Sequence, residues 1–494
     1  MPAIRASFTA QPLDACADAA LTAAADLGAS WVDVRVAEMT ERRVHLRDGA
    51  VESALVDTDL GLGVRVIAAG AWGFAATGTV TPAAAADAAR RAVALARATA
   101  ALVTTPVEIA PEPTYSGTWV APYEADPIDV PDADVVSWLA QWSATVAADP
   151  IVDHTTASFS AARECLFYAD SAGTRTLQQR VRCQPEVTAI AITAGGFDDM
   201  TTTLPPTARG WENALEPVWT DEVAALAGHL ADRVVAPSLP AGHYDLVIAP
   251  SNLWLTIHES IGHATEYDRA IGFEANYAGT SFATPDGLGS LVYGTPLMHV
   301  TGDRTAEHGL ATVAWDHEGV AAGQWDIVRD GVLVGYQLDR WGAQRLGVPR
   351  SNGCAYADQA AHVPLQRMPN VSLQPAADGP DLDALIAGVA DGLLVVGDKS
   401  WSIDMNRRNF QFTAQRFVRI QGGHLTGQVK DVAYQSDTLD FWRSLVALGG
   451  QQTYVLGGAL NCGKGQPGQV AAVSHGCPAA VFEGVNVLST AGGH

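Results

Sequence analysis

The chain has 494 residues, with 54 acidic side chains against 30 basic ones and a formal charge of −24 at pH 7. Such acidity argues against a nucleic-acid-binding surface, because neutralising phosphates takes clustered Lys and Arg. No run of about 20 apolar residues suggests a membrane span, and no charged start with an apolar stretch suggests a secretory leader, so the expectation is a soluble, cytoplasmic protein.

Only Lys399, Lys430 and Lys464 are lysines; with the high alanine content this reads as compositional bias, and the acidity as a device for solubility. Six scattered cysteines in so long a chain do not make a disulfide framework and agree with a reducing compartment. The length leaves room for two or three domains.

In chain order, an alanine-rich helix is predicted from about Asp14 to Leu27, then strands Trp31 to Ala37 and Arg42 to Leu46, with Asp48-Gly49 as a hairpin turn. Strands at Gly61 to Ala68 and Ala71 to Ala76 precede a long helix from Pro82 to about Ala101, so sheet and helix form a layered unit. Prolines from Pro106 to Pro131 mark a connection without regular structure. A helix near Ala133 to Ala148, strands between His154 and Ala194 and a helix from Asp221 to Val235 complete an N-terminal α/β region, 1–236, with sub-segments of about 1–105 and 130–236.

Pro237-Ser-Leu-Pro240 is the best boundary. From there residues 237–494 become strand-rich: Tyr244 to Ala249, Gly323 to Val328, the Asp330-Gly331 hairpin, Arg416 to Ile420 and the Gly422-Gly423 turn. Helices are expected at Asp381 to Ala390 and Thr438 to Leu448. So many short strands predict a closed or wrapped sheet, giving an α+β chain whose N-terminal α/β domain precedes a C-terminal, β-rich, barrel-like domain.

The chemistry gathers at His258-Glu259-Ser260-Ile261-Gly262-His263, after the apolar run Leu253 to Ile257. In the common zinc peptidase helix two histidines four apart share one face. Here they are five apart, which on an unbroken α-helix turns the second imidazole by about 140° from the first. The spacing therefore predicts a π-bulge, and Gly262 removes a side chain that would crowd it. Neutral imidazoles suit zinc, and Glu259 is placed to take the proton of a metal-activated water. A helix with two partly buried, hydrogen-bonded histidines would carry the same hexapeptide without a metal.

A third ligand is needed, and spacing leaves Glu266, Asp268, Glu274 and the cysteines as candidates. Glu266 could ligate or orient a histidine from behind. Cys462 stands in Asn461-Cys-Gly-Lys-Gly-Gln466, where Lys464 could favour a thiolate. For Cys16, Cys165, Cys183 and Cys354 a buried, small apolar role is expected.

Four separated blocks resemble the TldD/PmbA metallopeptidase family, in its TldD-like, metal-binding branch. They are Gly61-Leu-Gly-Val-Arg-Val-Ile67 with Gly70-Ala-Trp-Gly-Phe74; Leu239 to Pro250 leading into the histidine motif; Asn409-Phe-Gln-Phe412 with Val429-Lys-Asp-Val432; and Cys462-Gly-Lys-Gly-Gln466. The resemblance covers nearly the full length. It implies a zinc site of His258, His263 and Cys462 with Glu259 as base, a C-terminal barrel-like domain carrying the metal helix, and a dimer whose sites face an enclosed cavity. In Ser474-His-Gly-Cys-Pro478, His475 and Cys477 compete with Cys462 as ligands. The hexapeptide also fits the dipeptidyl peptidase III form, but no second block of that family follows.

The functional expectation is a zinc-dependent peptidase acting on unfolded proteins or short peptides, as a homodimer or with a PmbA-like subunit. Two alternatives are a catalytically silent subunit that shapes a partner's cavity and a regulatory protein acting on a DNA-associated target, as the family's association with DNA gyrase modulation suggests. The PmbA branch lacks the metal motif, so intact His258, Glu259 and His263 count against the silent role.

Overall fold

The computed structural model describes residues 3–194 and 196–491. Seven strands build the N-terminal sheet: β1 (Trp31–Arg47), β2 (Ala50–Ala68), β3 (Ala71–Thr77), β4 (Ser116–Val120), β5 (His154–Asp170), β6 (Arg175–Thr193) and β7 (Gly196–Thr201). Their order is β3-β2-β1-β5-β6-β4, with β7 also on β6. The Asp48-Gly49 turn that joins β1 to β2 has positive φ at both residues (50° and 75°), the geometry that matches strand twist in a two-residue hairpin.

One sheet thus runs through both N-terminal segments, because β1 pairs β2 on one side and β5 on the other. The polar run Glu38 to Glu41 that divides the apolar alternation does not end β1, since both backbone edges there are paired. Along one face of β1, Val32, Val34 and Val36 pack under α1 (Leu13–Asp26) and α2 (Pro82–Thr99). Farther along the same face, Val44 and Leu46 pack under α3 (Asp132–Ala147) and α4 (Pro217–Val235). The proline-rich connection holds one regular piece, β4, which lies parallel to β6 at the sheet edge.

The opposite face is buried yet charged. Arg65 pairs with Asp33 at 2.7 Å and with Glu318 at 2.9 Å, and His317 Nε2 lies 3.4 Å from Glu164. Ion pairs and hydrogen bonds therefore join the sheet to the C-terminal half, where a helix layer would have needed apolar residues.

Seven further strands position the site: β8 (Gly242–Ile248), β9 (Asp391–Ile403), β10 (Asn409–Gln421), β11 (Val432–Asp437), β12 (Val455–Lys464), β13 (Gln469–Cys477) and β14 (Ala480–Ser489). Pairing runs β9-β8-β14-β11-β10, and β10 returns to β9, so five strands close a barrel. Closure gives each member a neighbour on both sides over part of its length. Strands β12 and β13 form a separate hairpin.

Helix α5 (Pro250–Ile257) leaves β8 directly, with Pro250 at its first turn, where the missing N–H costs nothing. Its Leu253 and Ile257 join the main core with Ile248, Val395, Phe412 and Tyr434. The helix expected over Thr438 to Leu448 stops at Arg443. Leu445–Leu448 is instead a strand against β14, because a short apolar run takes whichever form its neighbours can pair. Among the described residues no helix is long and apolar enough to cross a membrane.

Candidate metal centre

A π turn over His258–Gly262 follows α5, and the N–H of His263 donates to the carbonyl of His258, an i+5 to i bond. That bond absorbs the extra residue between the histidines and brings their ring centroids to 4.6 Å. A π turn frees carbonyls that an α-helix would use, and side chains meet them here. Tyr293 Oη donates to Ser260 O, Thr265 Oγ1 to Ile261 O at 2.8 Å, and Gln337 Nε2 to Gly262 O at 2.5 Å. Gly262 itself has ordinary helical angles; its role is close approach, for an added Cβ would stand 2.5 Å from Met368 Sδ.

Cys462 lies on β12, about two hundred residues away in sequence, and its Sγ is 3.8 Å from His263 Nε2. His258, His263 and Cys462 present ligand atoms that all lie within 4.8 Å of one another, and all three side chains are buried. Among the described residues this is the one such group of His, Cys, Asp or Glu.

The other candidates stand around it. His475 Nε2 lies 2.7 Å from His258 Nδ1, and His475 Nδ1 lies 2.9 Å from the Val371 carbonyl. A carbonyl only accepts, so His475 carries its proton on Nδ1 and accepts from His258 Nδ1–H, which leaves His258 Nε2 as the free donor atom. Glu266 Oε2 accepts from His263 Nδ1–H at 2.9 Å, leaving that ring's Nε2 to face Cys462. Asp268 pairs with Lys464, and Cys477 Sγ faces the Pro250 carbonyl.

Charge balance follows from burial. Desolvation lowers the pKa of His258, and of His475 well below the usual imidazole range, because burial disfavours the charged form of each ring. Burial alone would raise the Cys462 thiol, but the neighbouring His263, with help from Arg367, brings it below its ordinary value. Burial likewise opposes ionisation of Glu266, yet Lys464, His263 and Arg269 hold it well below the carboxylate range. Lys464 is itself bound to Glu266, Asp268 and Gln366, so its charge serves the Glu266 side of the site and not the thiol.

Glu259 faces a cavity of about 950 Å³ between the N-terminal sheet and the C-terminal half, together with His258, His263 and Cys462. Its carboxylate accepts from Arg407 Nη1 at 2.5 Å. Burial would raise its pKa, but His263, His258 and Arg407 outweigh that and hold it low. Sequence reasoning missed Arg407, and nothing in Asn406-Arg407-Arg408 singles it out.

Comparison with known proteins fits this geometry. The PmbA/TldA metallopeptidase C-terminal domain matches residues 241–489, half of the chain, and domain 1 of the same family matches residues 32–96. The chain belongs to the PmbA/TldA metallopeptidase family. A Methanothermobacter thermautotrophicus protein described as a metalloprotease is 26% identical over 91% of this chain and 93% of its own length. A zinc metalloprotease TldD homolog of Saccharolobus solfataricus is 23% identical over 44% of this chain and 46% of its own. A Thermotoga maritima structure described as a putative modulator of a DNA gyrase shares the fold at TM-score 0.75 and 15% identity, covering 96% of this chain and all of that one.

For this PmbA/TldA metallopeptidase, two imidazoles whose Nδ1 is engaged from behind and whose Nε2 is free, with a buried thiol of lowered pKa, fit a divalent metal with borderline-soft character. Zinc is held by such a set with a position left for water.

Proposed function

We propose that the chain is a zinc-dependent peptidase in which His258, His263 and Cys462 hold the metal and Glu259 is the general base. The observation that carries this is the convergence of those three donors beside a buried carboxylate on the wall of one cavity. On this reading residues 237–494 carry the chemistry and residues 1–236 supply the facing wall. The Saccharolobus relative's description supports zinc, and the resemblance to the family carries the expectation of a dimer, of two copies or with a PmbA-like subunit.

A zinc ion bound there would acidify a water molecule and polarise the scissile carbonyl. Glu259 takes the water's proton as the new C–O bond forms and passes it to the amine nitrogen as the C–N bond breaks. His475 and Glu266 keep the two imidazoles in the tautomer that turns Nε2 towards the metal. Among the described residues strand β12 pairs only with β13, and Gly458 to Asn461 line the cavity. An extended peptide would pair there through backbone hydrogen bonds, with little side-chain selectivity.

The test is zinc content together with cleavage of a mixture of unstructured peptides, for wild type and Glu259→Gln. Zinc bound by both and cleavage by the wild type alone supports the reading. A wild type that binds zinc yet cleaves nothing the variant leaves intact sinks it and leaves the silent-subunit role. Cys462→Ala is expected to lose zinc; full occupancy in that variant would move the third ligand elsewhere.

A further inference from the structure

We infer that Arg407 is a positioning residue for catalysis, holding the Glu259 carboxylate by one oxygen so that the other faces the attacking water. This rests on Glu259 being the base. Glu259 has two carboxylate oxygens, and Oε2 is the one that accepts from Arg407 Nη1, at 2.5 Å. A carboxylate on a glutamate stem turns about its last torsion in a broad well, so without a second anchor its oxygens exchange places freely. One charged hydrogen bond removes that freedom.

The remainder of the site could not supply this anchor. Lys464 is spent on Glu266, Asp268 and Gln366. Arg269 donates to Glu266 and to the Ala278 carbonyl, and Arg367 to the carbonyls of Gln469 and Cys462. Among the described residues Arg407 is the cation paired with Glu259.

Arg407 is also held in a conformation that a merely incidental arginine would avoid. It sits in the loop between β9 and β10 with φ +61°, a left-handed geometry that long side chains rarely adopt. The loop is pinned on every side. The Asp404 carboxylate accepts from the N–H groups of Asn406, Arg408 and Asn409 at 2.8 to 3.1 Å. Thr438 Oγ1 donates to the Arg407 carbonyl at 2.8 Å, and Phe282 N donates to the Asn406 carbonyl at 3.1 Å. Backbone strain kept in place by so many contacts, directly beside a proposed catalytic carboxylate, points to a functional placement. The guanidinium has capacity left, since its Nε is buried without an acceptor among the described residues.

The inference is tested by a double-mutant cycle on the zinc-loaded protein with Arg407→Ala, Glu259→Gln and both together. Arg407→Ala is expected to lower kcat about 100-fold, the scale of a small misplacement of a catalytic group, with KM changed less than about threefold and zinc stoichiometry intact. In the Glu259→Gln background the same substitution should cost nothing further. Arg407→Lys, or Arg407→Ala with added guanidinium, should recover part of the rate. A second readout is thermal unfolding: Arg407→Ala, which leaves Glu259 buried without its partner, should melt below the double variant. Unchanged kcat in Arg407→Ala, an effect confined to KM, or additive losses in the cycle would overturn the inference. Full activity in Glu259→Gln alone would instead overturn the assignment of the base.

Discussion

His475 stands behind His258, with 2.7 Å between His475 Nε2 and His258 Nδ1, and its far nitrogen meets the Val371 carbonyl at 2.9 Å. The relay fixes which nitrogen of His258 is free, so at the proposed metal site it would act on metal affinity through ring orientation and basicity. His475→Phe keeps the bulk and removes the acceptor. Its zinc affinity, measured by competition with a chelator of known strength, should fall about 10- to 100-fold while one site remains. An unchanged affinity would mean that the relay does not tune the ligand.

The matching contact behind His263 belongs to a buried ionic group. Glu266 holds His263, Arg269 at 3.0 Å and Lys464 at 3.2 Å, all buried. Removing one member leaves a buried charge uncompensated. Glu266→Gln is expected to destabilise the zinc-loaded protein by about 3–5 kcal/mol, read from denaturant unfolding. Lys464→Met should destabilise as well, because Asp268 and Glu266 then lose a shared cation. A variant as stable as wild type would show that water or relaxation replaces these partners.

Gly262 makes a different prediction, one of space. An added methyl would stand 2.5 Å from Met368 Sδ and 2.9 Å from its Cε, and Met368 is buried. Gly262→Ala should cost about 1–3 kcal/mol as an overpacked core position and weaken zinc binding by moving the π turn. Met368→Ala in the same chain opens that space, so the double variant should recover zinc affinity. If it does not, the turn needs glycine for a reason other than Met368.

At the interface between the halves, His317 gives a pH signature. Its Nδ1 accepts from the Ala357 N–H at 3.2 Å, so its proton lies on Nε2, towards Glu164. Burial, reinforced by Arg35, lowers its pKa to about 4 despite Glu164. A lowered folded-state pKa means that the unfolded chain takes up a proton the folded one refuses. Stability present near pH 7 is therefore lost as pH falls from about 6.5 to about 4, by up to roughly 3 kcal/mol from this residue. The difference in melting temperature between wild type and His317→Gln should shrink or reverse across that window. A constant difference would place the titration elsewhere.

Much of the fold is written locally. The helices near residues 13–26, 82–99 and 132–147 follow from amphipathic spacing and, for the second, from Thr81 capping the Ala84 N–H with Pro82 in the first turn. The hairpin turns follow from Asp-Gly pairs. What local pattern misreads is pairing: β1 continues through a polar run because β2 and β5 flank it, and Leu445–Leu448 becomes strand because β14 offers an edge. The same holds in the site. Glu266 was legible as a group that could stand behind a histidine, whereas Lys464's partner and Arg407's place were not, since each depends on contacts 148 or more residues apart.

By itself the sequence determined that two histidines five apart could face one ion only through a bulged turn, and it supplied the acid between them. That follows from helix geometry within one element, where spacing sets direction. Tertiary structure decided which distant groups come to that turn. Cys462 arrives at it on the β12–β13 hairpin, His475 takes the place behind His258, and Arg407 meets Glu259 from a strained loop. Spacing along a chain says nothing about residues on separate elements; only the packing of α5 against the hairpin and the barrel brings them within hydrogen-bonding reach.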